Sequence, residues 1–158
     1  MKKIVLFASG SGTNVENIIR YFQEKKTAEV VAVFCNNPNA KVLERAQNLN
    51  IPTFVFSKEA LNSTLVLEKL SEYQPDLIVL AGFLLQFPIA IIKEFPNIIN
   101  IHPALLPRYG GKGMYGMHVH VCMCAGQTLN GYIRGLYTMY GFWLNRSYRS
   151  MYEIRYYC

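Results

Sequence analysis

Short, near-continuous apolar runs alternate along this chain with segments in which apolar residues recur at every third or fourth position. The apolar runs occupy residues 3–8, 30–35, 53–56, 76–83 and 97–102. Each run predicts a strand buried on both faces, since a half-exposed strand would alternate apolar and polar residues. The segments with helical spacing occupy residues 14–26, 40–49, 63–73 and 88–95. This alternation predicts an α/β protein with a mostly parallel, doubly wound sheet and helices on both faces.

The pattern changes at Val121. Residues 121–158 show no clear helical stripe and only patchy alternation of apolar and polar residues. They hold four Arg, no Lys and one acid, Glu153, and they carry seven of the eleven Tyr. The balanced charge of the earlier helices is lost there. We interpret residues 121–158 as an atypical tail produced by out-of-frame translation. The alternative is a genuine, diverged tail that packs on the sheet through its aromatic side chains.

The length and composition fit one globular domain. The chain has 158 residues, of which 51% are hydrophobic and 16% charged, so it can bury a core and is not disordered. Four Cys do not make a disulfide scaffold at this length. The net charge is +6, but residues 1–120 balance 12 basic against 9 acidic side chains, so composition gives no case for nucleic acid. No apolar run could span a bilayer, and the first is too short for a signal peptide, so we expect a cytoplasmic protein.

A Gly-rich stretch, residues 9–14 (SGSGTN), follows the first predicted strand and opens the first predicted helix. Glycines let the backbone approach an anion, and the start of a helix presents free N–H groups with a favourable dipole. The third glycine of the dinucleotide-binding pattern is absent, because Asn14 and Val15 occupy its place. The stretch therefore predicts a site for a single phosphate. The alternative is a turn that only caps the helix.

Asn100 and His102 lie at alternate positions of the last predicted strand, directly before Pro103. Alternate strand residues share a face, and α/β proteins bind ligands at the carboxyl ends of their strands. An Asn amide can donate to a carbonyl oxygen, and a His can stabilise or protonate the oxyanion that follows attack. No Ser or Cys is placed as in a nucleophile elbow, so the pair favours direct transfer of an acyl-type group to an external amine. The alternative is an ordinary strand end with a capped Asn and a hydrogen-bonded His.

A stretch of alternating His and Cys, residues 118–124 (HVHVCMC), superficially resembles a soft-metal site. On one strand the four side chains would share a face. Such a row rarely closes a tetrahedron, because metal sites usually draw their ligands from two segments. We therefore expect no metal.

Four motifs together resemble those of the phosphoribosylglycinamide formyltransferases over residues 1–120. They are SGSGTN (9–14), LAGF (80–83), NIHPALLP (100–107) and the glycine- and histidine-containing stretch 109–120. NIHPALLP also occurs in methionyl-tRNA formyltransferase and formyltetrahydrofolate deformylase, but SGSGTN and the immediate start on the first strand favour the glycinamide ribonucleotide enzymes. The resemblance implies a Rossmann-like formyltransferase fold whose C-terminal part is truncated or aberrant. Residues 1–120 would form the N-terminal part of the catalytic domain, followed by the tail at 121–158.

The resemblance also implies a reaction and a co-substrate. The amine of glycinamide ribonucleotide attacks the formyl carbon of 10-formyltetrahydrofolate, a tetrahedral oxyanion forms, and tetrahydrofolate leaves. Asn100 matches the residue that hydrogen-bonds the formyl oxygen, and His102 matches the His that stabilises the charge. The substrate phosphate is expected at Ser11, Gly12, Thr13 and Asn14.

The folate is expected beside Asn100 and at a segment just after LAGF, where mostly backbone groups hold the pteridine. This segment is Leu84, Leu85, Gln86 and Phe87. Lys58 lies where the family often has an Arg near the folate, which keeps the charge but loses the planar fork. His118 lies where the family has a His close to the substrate.

The resemblance does not extend to the third catalytic group of the family. That group is an Asp in an Asp-x-Gly turn of the C-terminal part. The only Asp in this chain is Asp76, at the start of the fourth predicted strand, and it is not in that motif. The chain as written is therefore expected to transfer formyl groups poorly. Two other activities stay open: hydrolysis of 10-formyltetrahydrofolate, in which water replaces the amine, and ligand binding without catalysis.

Overall fold

The computed structural model describes residues 1–101, in which strands alternate with helices. The strands are β1 (Lys2–Ala8), β2 (Ala28–Cys35), β3 (Thr53–Val55), β4 (Leu77–Ala81) and β5 (Ile98–Ile101). The helices are α1 (Thr13–Lys25), α2 (Lys41–Asn48), α3 (Lys58–Leu61), α4 (Leu65–Tyr73) and α5 (Ile89–Glu94). None of these five helices is long and apolar enough to cross a membrane.

The strands form one sheet in the order β3-β2-β1-β4-β5. β1 pairs in parallel with β2 and with β4, and β2 pairs in parallel with β3. The chain moves outward from β1 on one side of the sheet and then crosses to β4 on the other side, which is the doubly wound arrangement expected from the sequence. The topological switch point lies between β1 and β4, so the loops that follow these two strands open at the same edge of the sheet.

The core is centred on β1. Every residue from Ile4 to Ala8 is buried, as the continuous apolar run predicts. Val5 and Phe7 belong to a cluster that also takes one or two buried side chains from each of three helices, namely Leu61, Val66, Leu70 and Ile91. α1 and α2 pack against each other and against β2. The buried residues of α1 follow the helical spacing: Val15, Ile18 and Ile19.

All nine predicted elements are present, and the structure adds one that the pattern missed. α3 is a single turn, too short to show a helical period. At its start the Ser57 hydroxyl accepts a hydrogen bond from the Ala60 amide (3.2 Å). β4 ends at Ala81 rather than at the predicted residue 83, because Gly82 adopts a left-handed backbone conformation (φ 76°).

The β1–α1 loop (residues 9–12) packs closely against α2. Gly12 has a φ of 74°, a left-handed conformation that favours glycine. A Cβ built on Gly12 would lie only 2.5 Å from the Cβ and Cγ2 atoms of Val42 in α2. The Val42 amide also donates a hydrogen bond to the Gly10 carbonyl (3.2 Å). Position 12 therefore needs glycine both for its backbone conformation and for its packing.

Replacing Gly12 by Ala should lower the free energy of unfolding by about 2–4 kcal/mol, because backbone strain and an overpacked contact add. Gly10→Ala is the matched control: Gly10 lies in the same loop, and a Cβ there meets nothing within 4 Å. We expect Gly10→Ala to change the stability by less than about 0.5 kcal/mol. Urea unfolding followed by circular dichroism measures both values. Equal stabilities would contradict the close approach of Gly12 to Val42.

Candidate functional site

Two loops meet at the switch point of the sheet. The β1–α1 loop follows β1, and the β4–α5 loop (residues 82–88) follows the neighbouring strand β4. The Ser9 amide donates to the Gly82 carbonyl (3.1 Å), and the Leu84 amide donates to the Ser9 hydroxyl (2.9 Å). The loops that carry the two predicted binding segments are therefore linked directly, at the edge where α/β proteins bind ligands.

The residues predicted to bind phosphate lie at the start of α1. Ser11, Thr13 and Asn14 are exposed, and Gly12 is the capping residue of the helix. Within residues 1–101, no side chain makes a capping hydrogen bond there, and the first amides of an α-helix have no partner within the helix. Free amides, exposed hydroxyls and the positive end of the helix dipole are thus all available to an anion.

An acidic residue, Glu16, lies in the first turn of α1, where its charge would oppose anion binding. Two Arg side chains compensate it. Arg20 contacts Oε1 of Glu16 (2.8 Å), and Arg45 of α2 donates to Oε2. Hydrogen bonds from Arg20, and to a smaller extent from Arg45, hold the pKa of the Glu16 carboxyl below its usual range. The first turn of α1 therefore carries no uncompensated negative charge.

The β4–α5 loop is held by aromatic packing. Phe83 and Phe87 make edge-on contacts with Phe7 of β1, with ring centroids 5.4 Å and 5.1 Å apart. Leu85 also packs against the core. The other two residues predicted to bind folate are exposed, namely Leu84 and Gln86. Two members of the predicted segment therefore hold the loop, and two present their side chains to solvent.

The remaining predicted residues lie farther from this junction or outside the described part of the chain. Asn100 is half-buried in β5, beside β4, and Lys58 is the exposed first residue of α3. Within residues 1–101, no hydrogen bond or ion pair joins either side chain to the two loops. His102 and His118 lie outside the described residues, as does the stretch 118–124. Among residues 1–101, no group of three or more His, Cys, Asp or Glu is placed to hold a metal ion.

Two polar residues at this edge were not assigned a role from the sequence. The Ser9 hydroxyl donates a hydrogen bond to Oδ1 of Asn36 (2.6 Å), which directly follows β2. Together with the bond from the Leu84 amide, this contact connects the carboxyl ends of β1, β2 and β4. The signal in the sequence is a polar residue placed directly after a buried strand, which both Ser9 and Asn36 satisfy.

The chain matches a family model described as formyl transferase over residues 2–133. The matched region covers every predicted site residue, including His102 and His118. It also extends past residue 120, into the segment that we interpret as an atypical tail.

The chain is similar to several phosphoribosylglycinamide formyltransferases. It is 36% identical over 118 residues to that of Bacillus subtilis (70% of this chain, 60% of the relative) and 37% identical over 125 residues to that of Escherichia coli (74% and 56%). It is 36% identical over 127 residues to the chloroplastic phosphoribosylglycinamide formyltransferase of Arabidopsis thaliana (75% and 44%). The chain thus spans about half the length of the curated relatives it matches.

Solved structures of such enzymes have the same fold. Glycinamide ribonucleotide transformylase 1 from Geobacillus kaustophilus gives a TM-score of 0.71 at 36% identity, over 81% of this chain and 70% of that one. The phosphoribosylglycinamide formyltransferase from Anaplasma phagocytophilum gives 0.70 at 31% identity, over 80% and 59%. These similarities confirm the doubly wound, Rossmann-like fold expected from the sequence. The formyl transferase family model also matches well over half of the residues of this chain. The chain therefore belongs to the formyl transferase family.

Proposed function

We propose that this protein transfers a formyl group from 10-formyltetrahydrofolate to the amine of glycinamide ribonucleotide, a step of purine biosynthesis. The observation that carries the proposal is the direct link between the β1–α1 loop and the β4–α5 loop through Ser9. This link places an anion-compatible helix start next to a loop with exposed apolar surface. Such a pair suits a phosphorylated acceptor and a folate donor, and the relatives above carry the matching enzyme name.

The acceptor is held through its phosphate at the start of α1. The amides and hydroxyls of residues 11–14 supply the hydrogen bonds, and the pairing of Glu16 with two Arg removes the nearest repulsion. The donor lies against the β4–α5 loop, where Leu84 is 56% exposed and the loop backbone can hydrogen-bond the pteridine. Lys58 supplies a positive charge for the carboxylates of the folate.

Asn100 and His102 act on the formyl group itself. The acceptor nitrogen attacks the formyl carbon, and the carbonyl electrons move onto the oxygen as the new C–N bond forms. The Asn100 amide donates to that oxygen, and His102 stabilises its charge. The intermediate collapses when the bond to N10 of the folate breaks. The acceptor nitrogen loses a proton, N10 gains one, and tetrahydrofolate leaves. As the family resemblance implies, His118 is proposed to contact the substrate.

The proposal includes only small-molecule ligands and places the reaction in the cytoplasm. The charge balance of residues 1–120 gives no basis for a nucleic acid partner. An amide and an imidazole at a strand end can stabilise the oxyanion by hydrogen bonding, so the proposed step uses no metal.

The chain as written should transfer the formyl group about 10²–10⁴-fold more slowly than the Bacillus subtilis relative, because it lacks the Asp-x-Gly turn. Single-turnover reactions with protein in excess, followed by mass spectrometry of formylated glycinamide ribonucleotide, make such slow rates measurable. Omitting glycinamide ribonucleotide should abolish the release of tetrahydrofolate.

Three other outcomes of this experiment contradict parts of the proposal. Release of tetrahydrofolate without the acceptor would identify a hydrolase. Binding of both ligands with no product would identify a binding protein. A rate equal to that of the relative would show that the expected impairment is wrong.

Asn100→Ala should lower the single-turnover rate by about 10²–10³-fold, because it removes a hydrogen-bond donor to the oxyanion. Asn97→Ala is the matched control. Asn97 directly precedes β5, at the opposite end of the strand, and its amide donates to the Asp76 carbonyl (3.2 Å). The control should keep the rate of the unmodified chain. If both variants react equally fast, Asn100 does not contact the formyl oxygen in the transition state.

A further inference from the structure

Ser9 forms a buried hydrogen-bonded junction that the proposed reaction does not use. The residue is 6% exposed, and it is the one buried polar residue in the described part of the chain. Its hydroxyl donates to Oδ1 of Asn36 (2.6 Å) and accepts from the Leu84 amide (2.9 Å). Its amide donates to the Gly82 carbonyl (3.1 Å). The residue thus makes two contacts with the β4–α5 loop and one with the end of β2.

The direction of each hydrogen bond at this junction follows from counting protons. A hydroxyl has one proton, and the Leu84 amide can only donate. The Ser9 proton therefore goes to Asn36, and the oxygen of the Asn36 amide must face Ser9. Each hydrogen bond at the junction therefore has one possible direction. The Ser9 hydroxyl donates to the Asn36 oxygen and accepts from the Leu84 amide.

The hydroxyl holds a part of the β4–α5 loop that side-chain packing does not hold. Phe83 and Phe87 pack on Phe7, but the Leu84 side chain is 56% exposed. The backbone of Leu84 is therefore positioned by its hydrogen bond to Ser9. Ser9 is itself attached to the sheet, because it directly follows the buried residues 4–8 of β1.

We propose that Ser9 is a positioning residue for the formyl donor. Its hydroxyl fixes the backbone of the β4–α5 loop at Leu84 relative to the sheet, and so sets the surface on which the folate lies. The identity of the ligand rests on the proposed function, whereas the positioning of the loop does not. The phosphate site should be little affected, because the start of α1 is held separately by the contact of Gly12 and Gly10 with Val42.

Ser9→Ala, made in the full chain, tests this role in two ways. Hydrogen–deuterium exchange of peptides covering residues 82–88 should become faster, because the Leu84 amide loses its acceptor. The affinity for tetrahydrofolate, measured by calorimetry under argon, should fall by about three- to tenfold, the loss of one neutral hydrogen bond. The affinity for glycinamide ribonucleotide should not change.

Ser63→Ala is the matched control, because its hydroxyl has the same bonding pattern elsewhere. It donates to the Ala60 carbonyl (2.8 Å) and accepts from the Leu65 amide (3.2 Å), in the turn before α4. Ser63→Ala should change neither exchange at residues 82–88 nor either affinity. If Ser9→Ala does not fold, Ser9→Cys gives the same test, since a thiol keeps the volume but accepts hydrogen bonds only weakly.

The outcomes separate this inference from the proposed function. Unchanged exchange at residues 82–88 overturns the positioning role, whatever the ligands do. An equal loss of affinity for both ligands also overturns it, because that pattern indicates a general structural defect. If the unmodified chain binds no tetrahydrofolate, the proposed function fails, and faster exchange in Ser9→Ala still supports positioning of the loop.

Discussion

Residues 4–8 of β1 are buried, and the strand is paired along both edges, so the rest of the sheet is built outward from it. Parallel neighbours cannot be joined to it by tight turns, so each connection must leave the sheet and return through a helix. The carboxyl ends of β1, β2 and β4 then come together at one edge. Ser9, the first residue after the strand, is 6% exposed although it lies at the edge where ligands bind. A buried hydroxyl in that position must find partners, and the neighbouring strand ends supply them.

The same strand couples the hydrophobic core to the site through one side chain. The ring of Phe7 contacts Phe34 of the neighbouring strand (5.0 Å between centroids) as well as Phe83 and Phe87 of the β4–α5 loop. Aromatic contacts of this kind contribute about 0.5–1.5 kcal/mol each beyond area burial. The loop is therefore held by the core at two positions and by the Ser9 hydroxyl between them. A change in core packing at Phe7 would therefore alter the position of the loop proposed to bind the donor.

Most of the fold could be predicted from the sequence, because buried parallel strands read as continuous apolar runs and the longer helices show their spacing. The pattern did not predict α3, because four residues are too few to show the helical period of 3.6 residues. The apolar run that predicts β4 continues to Phe83, although the strand ends at Ala81 and Gly82 has already turned the chain. An apolar run predicts which residues are buried, but it does not predict where the backbone leaves the sheet.

The candidate site could be predicted only in part. The segment at residues 11–14 follows from a local signal, because glycines and hydroxyls come directly after a buried strand. The segment at residues 84–87 is implied only by the family resemblance. The Ser9–Asn36 contact joins residues 27 positions apart in the chain, and no local pattern says which polar group a buried hydroxyl will meet. Sequence reasoning therefore predicts candidate ligand-binding segments, but it does not predict the contacts that hold their loops in place.

The proposed function assigns ligand binding and catalysis to different groups of this chain. The described residues contain a core centred on β1 and both loops proposed to hold the ligands, so we expect ligand affinity to depend on the packing of β1 and its neighbours. In the proposed reaction the rate would depend on groups that stabilise charge on the formyl oxygen, for which we propose Asn100 and His102. Interactions that are equal in the ground state and the transition state lower Kd without raising kcat. A chain with intact loops and an incomplete set of charge-stabilising groups is therefore expected to retain its affinity for both ligands while losing turnover.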